Sequence, residues 1–155
     1  MANTEQKRIG VDLGGTKIEA AVITEDHRIV WRERVPTPSG DYHGTLRAID
    51  ALVDRAVAEN NLPADFPIGI GVPGSQSPRT GLMRGCNSVA LNDKPLLHDL
   101  QAALARPVKL ANDADCFALS EARAGVGRDA GTVFGAILGT GVGGGIVIQQ
   151  QLLSG

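Results

Sequence analysis

The sequence predicts an α/β fold, on three observations. Short apolar runs rich in β-branched residues alternate with stretches of helical periodicity. The 20 glycines among 155 residues are clustered rather than scattered. One internal echo is present: Ile9-Gly-Val-Asp-Leu-Gly-Gly-Thr-Lys-Ile18 and Ala136-Ile-Leu-Gly-Thr-Gly-Val-Gly-Gly-Gly-Ile146 both read as strand, Gly/Thr turn, strand. No tandem repeat of 20–50 residues accompanies it.

The elements follow in order. Residues 8–13 read as a short buried strand, Gly14-Gly15 as a turn, and Lys17 to Thr24 as the return strand. Arg28 to Val35 makes a third strand in a meander, ended by Pro36 and Pro38. Asp41 can cap a helix whose apolar positions, Leu46, Ile49, Leu52, Val53, Ala56 and Val57, recur at helical spacing to about Asn60. Residues 67–72 suit a buried central strand. Residues 73–95 are rich in Gly, Pro, Ser and Asn and read as loop with short strands. Asp93-Lys94-Pro95 reads as a helix start, with Leu96, Leu97, Leu100 and Leu104 on the apolar face. Residues 107–110 form a short strand, and Asn112 caps a helix over 113–124. Residues 131–139 and 144–150 are strands joined by a Gly-rich turn.

Composition excludes several classes. The chain is 43% hydrophobic and 21% charged, which is globular rather than disordered. A net charge of −2 gives no basic footprint for nucleic acid. No apolar run reaches membrane-spanning length, and no apolar segment follows MANTEQKR to make a secretory signal. Cys86 and Cys116 are too few for a disulfide framework or a Cys-rich zinc site, and read as small apolar groups. A cytoplasmic protein is expected.

The glycine turns carry the chemistry. A phosphate needs closely approaching backbone N–H groups; glycine permits the approach and threonine adds a hydroxyl donor. A tight hairpin is the plainer reading of either turn alone, and their repetition favours phosphate. Walker A is absent. Gly139, Gly141 and Gly144 fit the dinucleotide pattern literally, but Gly145-Ile-Val-Ile-Gln reads as strand, not the helix that motif requires. Asp12, beside the first turn, can hold Mg²⁺ directly or through water.

Asn112-Asp113 opens a helix straight after a strand. The plain reading is a well-made helix start, with the dipole favouring the Asp113 anion. The functional reading makes Asp113 the acceptor of a substrate hydroxyl proton, with Asn112 bonding a neighbouring hydroxyl. Phosphoryl transfer suits such a group because it depends mostly on positioning and charge stabilisation. Asp115 and Glu121 read as structural, and Ala114, Phe117, Ala118 and Ala122 as core. His27, His43 and His98 show no metal spacing, and neither Ser75 nor Ser120 sits in a nucleophile elbow.

Four segments in this order, Asp12-Leu-Gly-Gly-Thr-Lys17, Gly71-Val-Pro-Gly74, Asn112-Asp113-Ala-Asp-Cys-Phe-Ala-Leu-Ser-Glu121 and Leu138-Gly-Thr-Gly-Val-Gly-Gly-Gly-Ile146, resemble the ROK family of bacterial sugar kinases. That family lies within the actin/hexokinase-like (ribonuclease H-like) ATPase superfamily. The likeness runs from Arg8 to Gly155. Pro36 to Tyr42, Gly74 to Pro78, Cys86-Asn-Ser88 and Leu91 to Pro95 look most like the fructokinase or manno(fructo)kinase branch. The N-acetylglucosamine kinase branch shares the helix and the second glycine motif.

The resemblance implies ATP-dependent transfer of the γ-phosphoryl group to a hexose hydroxyl, O6 foremost, with fructose or mannose favoured. Asp113 would be the base. Gly74, Ser75, Asn87 and Asn112 would contact sugar. Asp12, Gly14, Gly15, Thr16 and Lys17 would form the first phosphate motif, with Mg²⁺ at Asp12, and Gly139, Thr140, Gly141 and Gly143 the second. Residues 1–118 would be a small domain and 119–155 the start of a larger, incomplete one. The family's zinc cluster and adenine-binding segment would lie beyond Gly155, so no zinc is expected here and the chain alone would be weak or inactive. A non-catalytic sugar- or phosphate-binding fragment is the alternative, and a homodimer could cover the exposed hairpin edge. Asp115 departs from the family's usual Asn. No DNA-binding segment precedes the first strand, which disfavours a repressor.

Overall fold

Alternation of apolar and polar side chains builds the first sheet. In Arg8–Leu13 (β1), Ile9, Val11 and Leu13 are buried, and in Lys17–Ile23 (β2), Ile18, Ala20 and Val22 are buried. The antiparallel register sets Ile9 opposite Val22, Val11 opposite Ala20 and Leu13 opposite Ile18, so all six share one face. The computed structural model describes residues 7–138 and 141–153. They divide into two compact units, Met1–Leu110 and Ala111–Gly155.

In the first unit, Ile29–Pro36 (β3) completes the expected antiparallel meander. Tyr42–Glu59 (α1) follows, capped by Asp41, whose side chain accepts the Gly44 N–H at 2.8 Å. It packs on β2 and β3 through an apolar face that includes Ile49, Leu52, Val53 and Ala56. Ile68–Val72 (β4) runs parallel to β1, with Asp12 opposite Gly71. Residues 73–95 carry a minimal hairpin, Ser75–Gln76 (β5) with Met83–Arg84 (β6), and one 3₁₀ turn at Val89–Leu91. Leu96–Leu104 (α2) and Val108–Asn112 (β7) follow, and the sheet order is β3-β2-β1-β4-β7. Tyr42 of α1 donates its hydroxyl hydrogen to Asp99 of α2 at 2.8 Å.

One helix start differs from expectation. Asp93 does not begin α2: it is left-handed, at φ 61°, and its N–H bonds Met83 C=O at 2.8 Å. Pro95 takes the cap position instead. A non-local backbone partner outcompetes the local start signal.

In the second unit, Asp113–Ala124 (α3) packs on a hairpin of Thr132–Leu138 (β8) and Val142–Ile148 (β9), with Gln151–Leu152 (β10) beside β9. Pairing of Ile137 with Gly143 and Leu138 with Val142 starts β9 at Val142, closer to the turn than the expected residue 144. Ala114, Ala118 and Ala122, four residues apart, are the buried stripe of α3. Phe117, expected in the core, lies off that stripe and is exposed. The hairpin's other face leaves Phe134, Leu138, Val142, Ile146 and Ile148 exposed. Among the described residues, no helix is long and apolar enough to cross a membrane.

α2 ends on Ala105, a non-glycine residue at φ 48°. Ala105→Gly is expected to stabilise the chain by about 0.5–1 kcal/mol, because the left-handed region penalises a Cβ. Urea unfolding checks this: the midpoint should rise with an unchanged m-value.

Candidate functional site

The first unit gathers its candidates at one sheet edge. β1 and β4 are parallel, so both deliver the chain to the same side. β1 leads into the turn at 14–16, with Asp12 exposed one residue short of the strand's end. β4 leads to Gly74 and Ser75.

The first turn is pinned from within and from the side. Gly14 N–H donates to Lys17 C=O at 2.9 Å, so that donor is committed. Thr37 N–H donates to Thr16 C=O at 3.0 Å, and Thr37 Oγ1 to Gly14 C=O at 2.8 Å. This is not one of the positive-φ hairpin turns that Gly-Gly pairs usually make: among the described residues, positive-φ glycines are 40, 74, 81 and 85. Space is the reason for Gly14, and Gly15 lies close under a serine hydroxyl. A Cβ on Gly14 would lie 2.9 Å from Lys17 C=O, and one on Gly15 would lie 3.3 Å from Ser88 Oγ. Gly15, Thr16 and Lys17 are exposed.

The nearness of Ser88 places the segment that carries Asn87 beside the turn. Asn92 holds that segment from a distance: its Oδ1 accepts Cys86 N–H at 2.9 Å and its Nδ2 donates to Cys86 C=O at 3.0 Å. Gly74 sits against the same residue. Its φ is +103°, and a Cβ there would lie 2.6 Å from Arg84 C=O and 2.7 Å from Cys86 Sγ. Burial pushes the Cys86 thiol up, away from thiolate chemistry. The turn carrying Asp12, Gly14, Gly15, Thr16 and Lys17 and the segments carrying Gly74, Ser75 and Asn87 thus lie at the same end of the sheet.

The second unit carries Asn112 and Asp113 at the start of α3. Asn112 Oδ1 accepts from Ala114 N–H at 3.0 Å and Asp115 N–H at 3.2 Å, a two-bond N-cap. Asp113 Oδ1 also accepts from Ala114 N–H, at 2.8 Å. Asp113 is half-buried. Burial, and then the charge of Asp113, raise the Asp115 carboxyl above its usual range. Of the second glycine motif, Gly139 and Thr140 lie outside the described residues. Gly141 immediately precedes β9, while Gly143 lies inside β9, opposite Ile137.

Two residues with site consequences escape sequence reading, Thr37 and Asn92. Thr37 lies between two prolines, which reads only as a strand end. Asn92 acts across six residues on another segment's backbone, a non-local bond that no spacing announces.

The donor chemistry at this end of the first sheet fits a magnesium–nucleotide phosphate group. Gly15, Thr16 and Lys17 offer N–H, hydroxyl and ammonium donors to phosphate oxygens. Asp12 offers one hard carboxylate, and Mg²⁺ commonly takes one or two carboxylates with phosphates and water. Among the described residues, no three His, Cys, Asp or Glu side chains gather as a metal-holding group.

A sequence model of the ROK family matches residues 8–155. N-acetyl-D-glucosamine kinase from Haemophilus influenzae is 45% identical over 146 residues, covering 94% of this chain and 47% of the relative. The counterpart from Vibrio atlanticus is 44% identical, with 94% and 48% covered. Among solved structures, a ROK family glucokinase from Streptomyces griseus, in complex with glucose and AMPPNP, superposes with a TM-score of 0.85 at 34% identity. It covers 97% of this chain and 47% of that one. The chain spans about half the length of the curated relatives it matches. Fructose and mannose specificity finds no support among these relatives.

The raised Asp115 carboxyl sets a pH-dependent cost. Ionisation is harder in the folded than in the unfolded chain, so the penalty is full above the folded pKa and gone below the unfolded one, near 3.8. Asp115→Asn should therefore raise Tm at neutral pH, and the gain should shrink to nothing as pH falls below that value. Thermal melts of both chains from pH 3 to 8 check the sign.

Proposed function

The chain belongs to the ROK family, and we propose that it carries the sugar-binding and base-bearing part of an ATP-dependent hexose kinase, with N-acetylglucosamine as the preferred acceptor. The observation that carries this reading is the placement of Asp113 directly after an Asn-capped strand-to-helix junction, in a chain whose relatives include named N-acetyl-D-glucosamine kinases. The acetamido sugar replaces fructose or mannose as the first choice because of those relatives; glucose is the second, given the Streptomyces griseus glucokinase.

The reaction joins a sugar hydroxyl oxygen to the γ-phosphorus of ATP and breaks the bond from that phosphorus to the bridging oxygen. Asp113 takes the hydroxyl proton as the new bond forms, and ADP leaves with the electron pair of the broken one. Asn112, Asn87, Gly74 and Ser75 bind and orient the sugar. Gly15, Thr16 and Lys17 hold phosphate oxygens, with Gly14 shaping the turn, and Gly139, Thr140 and Gly141 supply the second phosphate-binding motif. Asp12 would hold Mg²⁺, directly or through water; bound there, the ion supplies positive charge against the phosphate oxygens. A lobe boundary at residues 118 and 119 would cut α3, so the division proposed for two lobes is that of the compact units, between Leu110 and Ala111.

ADP release is the measurement, with N-acetylglucosamine, glucose, fructose and mannose as acceptors. N-acetylglucosamine should give the highest kcat/KM, and Asp113→Asn should lower kcat by about 10²-fold or more, the usual scale for a general base. Equal rates in Asp113→Asn would remove Asp113 as base. Sugar binding by calorimetry without any turnover would make the chain a binding unit instead.

A further inference from the structure

We infer that Gly143 and Gly145 are positioning residues for Asp113, forming a side-chain-free seat on which the first turn of α3 rests. The inference rests on Asp113 being the base, and it moves Gly143 out of the phosphate contacts that the motif suggests.

The contacts are specific. A Cβ on Gly143 would meet one atom, Ala114 Cβ, at 2.9 Å. A Cβ on Gly145 would meet Ala114 C=O and Ala118 Cβ, both at 2.9 Å, and Asp115 Cα at 3.0 Å. Such separations are closer than packed carbon atoms tolerate, and none of these atoms sits on a flexible side chain. Ala114 is the residue whose N–H is shared by Asn112 Oδ1 and Asp113 Oδ1. The seat thus presses on the residue whose backbone fixes the base.

Ordinary helix–sheet packing would not need this. The same sheet face carries valines further along: Val133 pairs with Val147, and both pack with Ala118 and Ala122. Toward the N-terminus of α3 the face becomes Gly135 opposite Gly145, then Ile137 opposite Gly143. Glycines at 135, 143 and 145 let α3 lie tight on the sheet from Ala114 to Ala118, and Gly143 and Gly145 are the ones that meet its first turn. Gly145 faces the backbone of Ala114 and Asp115, and Gly143 faces the Ala114 methyl, groups with no rotamers through which the turn could drift. A displacement near 1 Å of a catalytic group can cost about 10²-fold in rate, which gives such a seat a function beyond stability.

Paired substitutions test this. Gly143→Ala should move the amide NMR signals of Asp113, Ala114 and Asp115, and Ala114→Gly added to it should return Asp113 and Asp115 toward their positions in Ala114→Gly alone. Gly145→Ala should not be rescued by Ala118→Gly, because Ala114 C=O and Asp115 Cα still block it. Gly131→Ala, with nothing within 4 Å of its Cβ, is the control. In phosphotransfer, Gly143→Ala should lower kcat about tenfold or more with the KM for ATP within about twofold, and the double variant should recover kcat. Unmoved amide signals in Gly143→Ala overturn the seat. So does a raised ATP KM at unchanged kcat without rescue, which would return Gly143 to the phosphate. Absence of turnover in the parent chain would instead defeat the kinase reading, while the amide signals still decide the seat.

Discussion

The parallel pairing of β1 with β4 is the constraint on which the first unit's site depends. Only parallel strands bring two successive strand exits to one edge. Asp12 opposite Gly71 fixes the register, and everything after it is placed by that choice. The turn at 14–16 leaves one strand and the Gly74 corner leaves the other. The link between them is then short: a Cβ on Gly74 would strike Cys86, and one on Gly15 would crowd Ser88 two residues on. A register slip of one residue would turn Ile9, Val11 and Leu13 out of the core and rotate Asp12 inward. The hydrophobic alternation that buries the core is thus what keeps the carboxylate at the surface.

The second unit solves a related problem with different means. The carboxylate of Asp113 is held at the helix start by a backbone N–H group. That same group is shared with the Asn112 cap, so the side chains of residues 112 and 113 both converge on Ala114 N–H. Phosphoryl transfer asks a base mainly for position. A carboxylate fixed through the backbone, on a helix seated against bare backbone, meets that demand better than one at the end of a mobile chain segment.

Much of this was legible in the sequence, and the reason is local. Strand alternation, the Asp41 and Asn112 caps and the apolar stripe of α1 are decided within a few residues, and each appears where its pattern lies. What was not legible is non-local. Asp93 looks like a helix start, yet its N–H is taken by Met83. Gly143 looks like part of a turn, yet it pairs with Ile137 and faces Ala114. Thr37 looks like a residue caught between prolines, yet it binds both Gly14 and Thr16. In each case a partner far along the chain, or across the sheet, decides the outcome.

The same distinction explains why the sugar branch was harder to read than the family. The segments that suggested a fructokinase were 36–42, 74–78, 86–88 and 91–95. In the fold their most distinctive residues serve the scaffold: Thr37 pins the turn at 14–16, Gly74 is required by the backbone of Arg84 and the thiol of Cys86, and Asn92 clamps Cys86. Such residues are needed to build this edge whatever sugar is bound, so they carry family information and little about the acceptor. Discrimination between sugars requires side chains that meet the hydroxyls and substituents in which those sugars differ. Of the candidate sugar contacts, Ser75 and Asn87 are the exposed side chains in the first unit, and two polar groups distinguish few hexoses. Acceptor choice therefore needs polar side chains beyond Ser75 and Asn87.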